Sequence, residues 1–350
     1  RWAAAGAAGT ALGPVVGGIL TDAISWQSIF IVQVPLVLAA IPAARALRTA
    51  AAPSTDDPAE APTQAHPTFS TAVDVPRIAA NVALGLLSAA LTAALFLLVL
   101  LLVDGWSHSP LVAAFTVTVI PVAALTAGAV ARYARAGTRG EAIAGAILIG
   151  GGLVALAFLP DATIAWTIAP QALIGLGLGL TVESLTTFAV RDRFPRALQG
   201  GWTIASRHLG IVVGLAILTP IFVGGLADAR PPAEEAIARL VIDAPLPAST
   251  RLDLATRLAA QVDGSAGRVP DIRPAFDAVK VAPGDRLEAA ALHRALDDQL
   301  QRAATHAFHD AFVVAAILAL LALLPALLLR DVDHAERLRP LGSEEPTMVR

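Results

Sequence analysis

Gly9-Thr10-Ala11-Leu12-Gly13-Pro14-Val15-Val16-Gly17-Gly18 lies inside an apolar segment that runs from Ala3 to Leu20. A proline flanked by glycines would cost an aqueous helix about 3 kcal/mol or more, whereas in a bilayer the neighbouring helices re-satisfy the freed backbone groups. The stretch therefore reads as a packed transmembrane helix. Gly9, Gly13 and Gly17 recur every four residues, which leaves one helix face bare of side chains and lets a partner backbone approach closely.

The rest of the chain has the same character. Of its 350 residues 56% are apolar and 15% charged, with a mean hydropathy of +0.67, a balance foreign to a soluble domain. Runs of about 18 or more residues with few charges occur at Ala3 to Leu20, Trp26 to Leu47, Ile78 to Val103, Leu111 to Val130, Ala142 to Leu159, Ile164 to Val190, Trp202 to Leu226 and Ala311 to Leu329. Their glycines and prolines fit membrane helices rather than the short alternating strands of an outer-membrane barrel. The expected fold class is all-α, a polytopic membrane protein with eight visible transmembrane helices. A net charge of −3 with no basic block implies no nucleic-acid partner. The absence of cysteine excludes disulfides, thiol chemistry and cysteine metal sites. Because Arg1 is not an initiator and Arg1 to Leu20 lacks a signal-cleavage pattern, the chain is expected to begin in the middle of a longer protein.

Arginine placement sets the expected orientation, since positive charge collects in cytoplasmic loops close to membrane ends. One set of connections carries Arg45, Arg48 and Arg77, then Arg132, Arg135 and Arg139, then Arg191, Arg193 and Arg196, and finally Arg330, Arg337 and Arg339. Thr21 to Ser25, Asp104 to Pro110 and Pro160 to Thr163 carry no Lys or Arg. The alternation is unbroken, so a multi-pass protein of the plasma (inner) membrane is expected, with both visible ends cytoplasmic.

Gly9, Gly13, Pro14, Gly17 and Gly18 match the pattern Gly-x-x-x-Gly-Pro-x-x-Gly-Gly. On those residues the segment resembles the antiporter motif in the fifth helix of the major facilitator superfamily, drug:proton antiporter branch. Trp26-Gln27-Ser28-Ile29-Phe30-Ile31-Val32-Gln33-Val34-Pro35 resembles the family's Trp-Arg-x-x-Phe-x-x-Asn-x-Pro run, with Gln27 and Gln33 replacing Arg and Asn. Gly175-Leu176-Gly177-Leu178-Gly179, Ser206 to Gly214 and His306 to Phe312 resemble the closing helices of the 14-helix exporters, although the linker here has no room for that group's two extra helices. Arg132-Tyr133-Ala134-Arg135-Ala136-Gly137-Thr138-Arg139 is similar to the superfamily's Asp-Arg-x-Gly-Arg-Arg gating turn, with Ala134 standing where the Asp would be.

The resemblance implies an organisation. Residues 1–47 would be the last two helices of an N-terminal bundle. Residues 48–77, rich in Pro, Ala, Thr, Asp and Ser, would be a flexible cytoplasmic linker. Residues 78–330 would form the C-terminal six-helix bundle and 331–350 a cytoplasmic tail. Within the second bundle, 227–305 reads as an extracellular helical insert with amphipathic helices at Glu234 to Ile242, Arg251 to Val262 and Arg286 to His306, separated by Pro and Gly breaks. It is taken as a long connection in preference to a lid.

Inside a membrane an ionisable residue is a functional hypothesis by default. Glu183 stands eight residues before Arg191, about 12 Å inside a core whose half-thickness is about 15 Å, too deep for its side chain to reach water. A carboxylate there can load and release a proton as access alternates, which makes Glu183 the proton-coupling candidate; the competing reading is a helix contact assisted by Ser184, Thr186 or Thr187. Arg207 and His208 lie one to two turns into their span. Arg207 reads as an interfacial anchor and His208 as a packed residue. Gln33, Asn81, Thr92 and Gln171 are hydrogen-bonders that line a transport path or join helices. His306, His309 and Asp310 have i, i+3, i+4 spacing but sit at a membrane edge, and no metal is assigned to them. The chain carries no Walker motif, Gly-x-Ser-x-Gly elbow or His-Glu-x-x-His, so no ATP motor, enzyme activity or cofactor is expected.

The resemblance thus implies a secondary transporter that exports hydrophobic or amphiphilic compounds in exchange for protons by rocking two bundles around a midplane site. Its partners would be the small-molecule substrate, protons, the lipid bilayer and the helices missing before Arg1. The rival is a transport-inactive truncation serving as a membrane scaffold or partner subunit.

Overall fold

The computed structural model describes residues 2–50, 74–134, 136–190, 196–264, 270–279 and 281–331, all of them helix or connecting turn with no strand. Most of the expected linker, residues 51–73, and the tail beyond 331 lie outside the described residues, as do Arg191 and Arg193. Helices α1 (Trp2–Ala23) and α2 (Ser28–Ala50) stand at the first two expected spans, joined by a turn in which the Ser28 hydroxyl donates to Leu20 O and Ser25 O. Helix α3 (Val75–Leu100) starts at Asp74, with Pro76 in its first turn, where the missing N–H costs nothing, and with an Arg77–Asp74 ion pair of 3.0 Å. It ends in a π-turn, Leu101–Gly105.

The fourth expected span is two helices. Helix α4 (Pro110–Val117), capped by the Ser109 hydroxyl accepting from Val112 N, is offset from α5 (Val119–Ala134) by a turn at Thr118. The cause is Pro121, which has no N–H for the Val117 carbonyl. The last span behaves alike, since α12 (His309–Leu321) and α13 (Leu323–Ala326) part at Ala322, three residues before Pro325.

 Pro325 leaves the Leu321 carbonyl without its intrahelical donor in the same way.

Between them, α6 (Thr138–Ala157), α7 (Ile164–Val190) and α8 (Arg196–Asp243) are each continuous. Here the expectation of a separate helix at Glu234 to Ile242 is corrected. Those residues are the last turns of α8, which at 1.5 Å per residue is about 72 Å long. Pro231 and Pro232 do not break it, and Ala233, Ile237 and Val241 on its next turns are buried. Helices α9 (Ala248–Gly264) and α11 (Arg286–Ala307) contain the other two expected amphipathic segments, with a short α10 (Arg273–Asp277) between them.

Six helical stretches among the described residues are long and apolar enough to cross a membrane: Val75–Gly105, Pro110–Tyr133, Thr138–Ala157, Ile164–Val190, Leu198–Asp243 and Pro283–Ala326. They pack through alanine and glycine. Helix α3 is central, in contact with α7, α8 and α12, and its Ala80, Ala90, Ala94 and Leu98 are fully buried. Lipid tails are as apolar as leucine, so association rests on close backbone approach rather than on exclusion of water.

Residues 227–305 are built differently. Leu254, Leu258, Ile272, Leu292, Leu296 and Leu300 close a second apolar core against Ile237 and Val241. This cap stands at the end of the bundle opposite the arginine-bearing turns. In water, burial of each such leucine contributes about 2 kcal/mol.

Candidate functional site

The closest helix contacts come from glycines. On α7, a β-carbon at Gly175 would strike the Ile120 carbonyl of α5, one at Gly179 the Ala124 carbonyl, and one at Gly177 would lie 2.5 Å from Gly145 O of α6. Alternate glycines thus serve two neighbouring helices at once. Gly210 and Gly214 of α8 meet Gly85 and Ala89 of α3 in the same manner.

The glycine face expected on α1 is displaced. Gly9, Gly13 and Gly17 have no atom within 4 Å of an added β-carbon, whereas Gly18 would place one 2.5 Å from Ala114 Cβ and 3.1 Å from Pro110 O of α4. One residue is a 100° step around a helix, so the surface that meets α4 lies beside the four-residue glycine row and not along it. Pro14 is half-buried near that surface and Gly13 is exposed.

Glu183 is exposed on α7, while Thr181 and Ser184 on either side of it are buried. Ser184 donates to Leu180 O at 2.6 Å and Thr181 to Gly177 O at 2.9 Å, both within their own helix. These two neighbouring hydroxyls are thus spent on the α7 backbone. Its carboxylate sits about 10 Å along α7 from Val190, on the open face.

The remaining path candidates do not form one cluster. Gln33 is exposed on α2. Asn81 donates to Arg77 O at 3.2 Å and keeps a buried Oδ1 with no partner. Gln171 is 0% exposed, donates to Thr167 Oγ1 at 2.9 Å, and also keeps a buried oxygen with no partner. It belongs to the packed interior rather than to an open path. Arg207 is half-buried on α8, Thr92 half-buried on α3, and His208 is exposed with Nδ1 2.9 Å from Ile204 O. At the cap end, His309 is held by Ala157 O at 2.9 Å and by an edge contact with the Phe158 ring, and His306 stacks on it. No group of metal-binding side chains assembles among the described residues.

The turn before α6 holds a contact the sequence did not signal. Arg139 N donates to Asp331 Oδ1 at 3.2 Å, 192 residues away, and a β-carbon on Gly137 would lie 2.5 Å from the same oxygen. The carboxylate thereby meets the positive end of the α6 dipole. Glu141, one turn in, is only 3% exposed. Ala134 lacks the acid of the resembled turn, and Asp331 brings one to the neighbouring helix start from the far end of the chain.

A family model described as Major Facilitator Superfamily matches residues 1–227 of the chain. The chain belongs to the major facilitator superfamily. Members of that superfamily are transporters rather than enzymes. The methyl viologen resistance protein SmvA of Salmonella typhimurium, in strains LT2 and 14028s, is 51% identical over 37 residues, which are 11% of this chain and 8% of that protein. The aligned stretch is thus a small part of either protein. The family match ends at 227, so it covers neither the cap nor α12.

Proposed function

We propose that this major facilitator protein is a secondary active transporter that exports hydrophobic or amphiphilic compounds in exchange for protons. The observation that carries the reading is the family match over residues 1–227; the short likeness to a protein named for methyl viologen resistance supports export of toxic compounds within it. In this reading residues 1–47 complete an N-terminal bundle, 78–330 form the C-terminal one, and both visible ends face the cytoplasm of a cell whose inner membrane holds the protein. The arginine-bearing turns support that orientation. Helix α1 meets the second half through Gly18 of the motif, against Ala114 and Pro110 of α4. Glu183 carries the proton: its carboxylate is on an open face of α7, where it can meet water from either side as access alternates, and it needs no helix partner to be released. Arg207, His208 and Asn81 border the path.

The test is transport in everted membrane vesicles with the full-length protein and methyl viologen as the first compound tried. An imposed pH gradient should drive uptake by the parent, and Glu183→Gln should abolish gradient-driven uptake while leaving exchange of compound against compound. Normal gradient-driven uptake by Glu183→Gln removes Glu183 from the coupling; no uptake by the parent with a panel of hydrophobic cations and neutral amphiphiles removes the export reading.

A further inference from the structure

Helices α8 and α11 pack against each other from the point where a β-carbon at Gly225 would strike the Ala307 carbonyl, and along that stretch they carry Ala229, Ala233, Ala303 and Ala304, which are small and leave space unfilled. What remains is a half-enclosed cavity of about 270 Å³. It runs from Val223 and Ala307 at its base to Ile237 and Leu300 at its head, and Val262 and Pro270 close its side.

The cavity's position is set by helix length. Val223 is about 40 Å along α8 from Arg196, and a hydrocarbon core is about 30 Å thick. Measured from that end, the base lies about 10 Å past such a core, and the body stands in the cap. Close-packed interiors leave few voids larger than a water molecule, so an apolar space of this size outside the bilayer has the form of a binding site.

Its chemistry is narrow. Apart from backbone, the lining is aliphatic except for Arg230 and Glu234. Those two are engaged with each other, Arg230 Nε donating to Glu234 Oε1 at 2.6 Å, and Arg230 Nη2 also reaches Val262 O at 3.5 Å. Their charges cancel, so the walls select neither an anion nor a cation. The volume lies just below the range of about 300–1,000 Å³ usual for drug-sized ligands, which suits one alkyl segment or a small ring system and excludes a whole lipid.

We propose that the cavity between α8 and α11 binds an uncharged hydrocarbon group and holds it outside the bilayer. The group enters either as a chain of a membrane lipid or as a hydrophobic molecule from water, and both present the same surface to the walls. The site stands apart from the path through the bundle and from the proton chemistry assigned to Glu183.

The experiment is photolabelling of the purified full chain, mapped by peptide mass spectrometry. In one arm the protein sits in bilayer discs of phosphatidylcholine carrying a diazirine in one acyl chain. In the other it is in detergent with a diazirine derivative of hexadecanol. Adducts are expected on Ile237, Val262 or Leu300, which are buried from the bulk lipid, in at least one arm, and the arm identifies the source. Filling the space with Ala233→Phe or, more mildly, Ala303→Leu should cut these adducts at least tenfold, while labelling of the exposed Val212 on α8 stays unchanged and reports that the helix is still in place. Absence of adducts at all three positions in both arms overturns the proposal. So does equal labelling in the filled variants when they melt at the parental temperature.

Discussion

Trp106 Nε1 donates to Thr305 Oγ1 at 2.9 Å, joining residues 199 apart in sequence. Thr305 in turn donates to Gln301 O at 2.7 Å, so its hydroxyl is satisfied in both roles. Trp106 closes the π-turn at the end of α3 and is only 2% exposed, and Thr305 lies near the end of α11. The bond ties the end of α11 to the end of α3. Trp106→Phe removes the donor and leaves Thr305 paired with its own helix, so the expected cost is about 1 kcal/mol. Trp106→Ala also empties the site and is expected to cost about 3–5 kcal/mol. Thermal unfolding of the detergent-purified protein checks both, and hydrogen exchange should show the lost protection concentrated in α11.

The glycines of α1 separate motif from contact. Gly18→Leu drives a side chain into Ala114 and the Pro110 carbonyl, and the expected cost is about 3 kcal/mol from overpacking. Gly13→Leu meets open space and should leave the melting temperature of this chain within about 1 °C of the parent, the size of surface substitutions in general. Unfolding curves of the two variants measured side by side decide it; equal destabilisation would place the contact on the four-residue row after all.

Periodicity made the helices legible, because runs of apolar residues at about 20-residue length have few other uses. It did not make their interruptions legible, since Pro121 breaks its span at Thr118 while Pro231 and Pro232 leave α8 whole. No local pattern in the sequence tells the two outcomes apart. The Gly175, Gly177 and Gly179 run was visible as a resemblance, but its physical use appeared only when α5 and α6 were seen to pass on either side of it. Gln171 reads in the sequence as a polar path residue, and a helix's buried face cannot be told from its open one where both are apolar. Asp331 gave no signal at all, because a capping carboxylate 192 residues away leaves no spacing to find.

Asp331 makes its own prediction. Its carboxylate accepts from Arg139 N at the start of α6, an arrangement in which a negative charge and a lone pair both favour the helix end. Asp331→Ala should cost about 1 kcal/mol, and Asp331→Asn, which keeps the acceptor and loses the charge, about half of that. Hydrogen exchange of the first turn of α6 is the sensitive readout. Unchanged exchange in Asp331→Ala would show that the turn holds without the cap.

The cap should also carry a small acid-dependent stability. Asp271 accepts from Arg273 three times, from the backbone N at 3.0 Å and from Nε and Nη2 at 2.9 Å each. The Arg273 side chain chiefly, and then its backbone N–H and charge, hold the Asp271 carboxyl below its usual range, against a smaller opposing effect of burial. A group whose folded value is depressed stabilises the fold above the unfolded carboxylate value of about 3.9 and loses that contribution as pH falls through the folded value. The pair is half-exposed, so solvent screening limits it to under about 1 kcal/mol. Asp271→Asn should therefore melt slightly below the parent at pH 7, and the gap should narrow as pH falls below about 4. Hydrogen exchange of α10 and the start of α11 across that range measures it, with high salt as a second axis that should narrow the gap at pH 7. A gap that persists undiminished at pH 2 would mean that Asp271 supports the turn through its shape rather than through its charge.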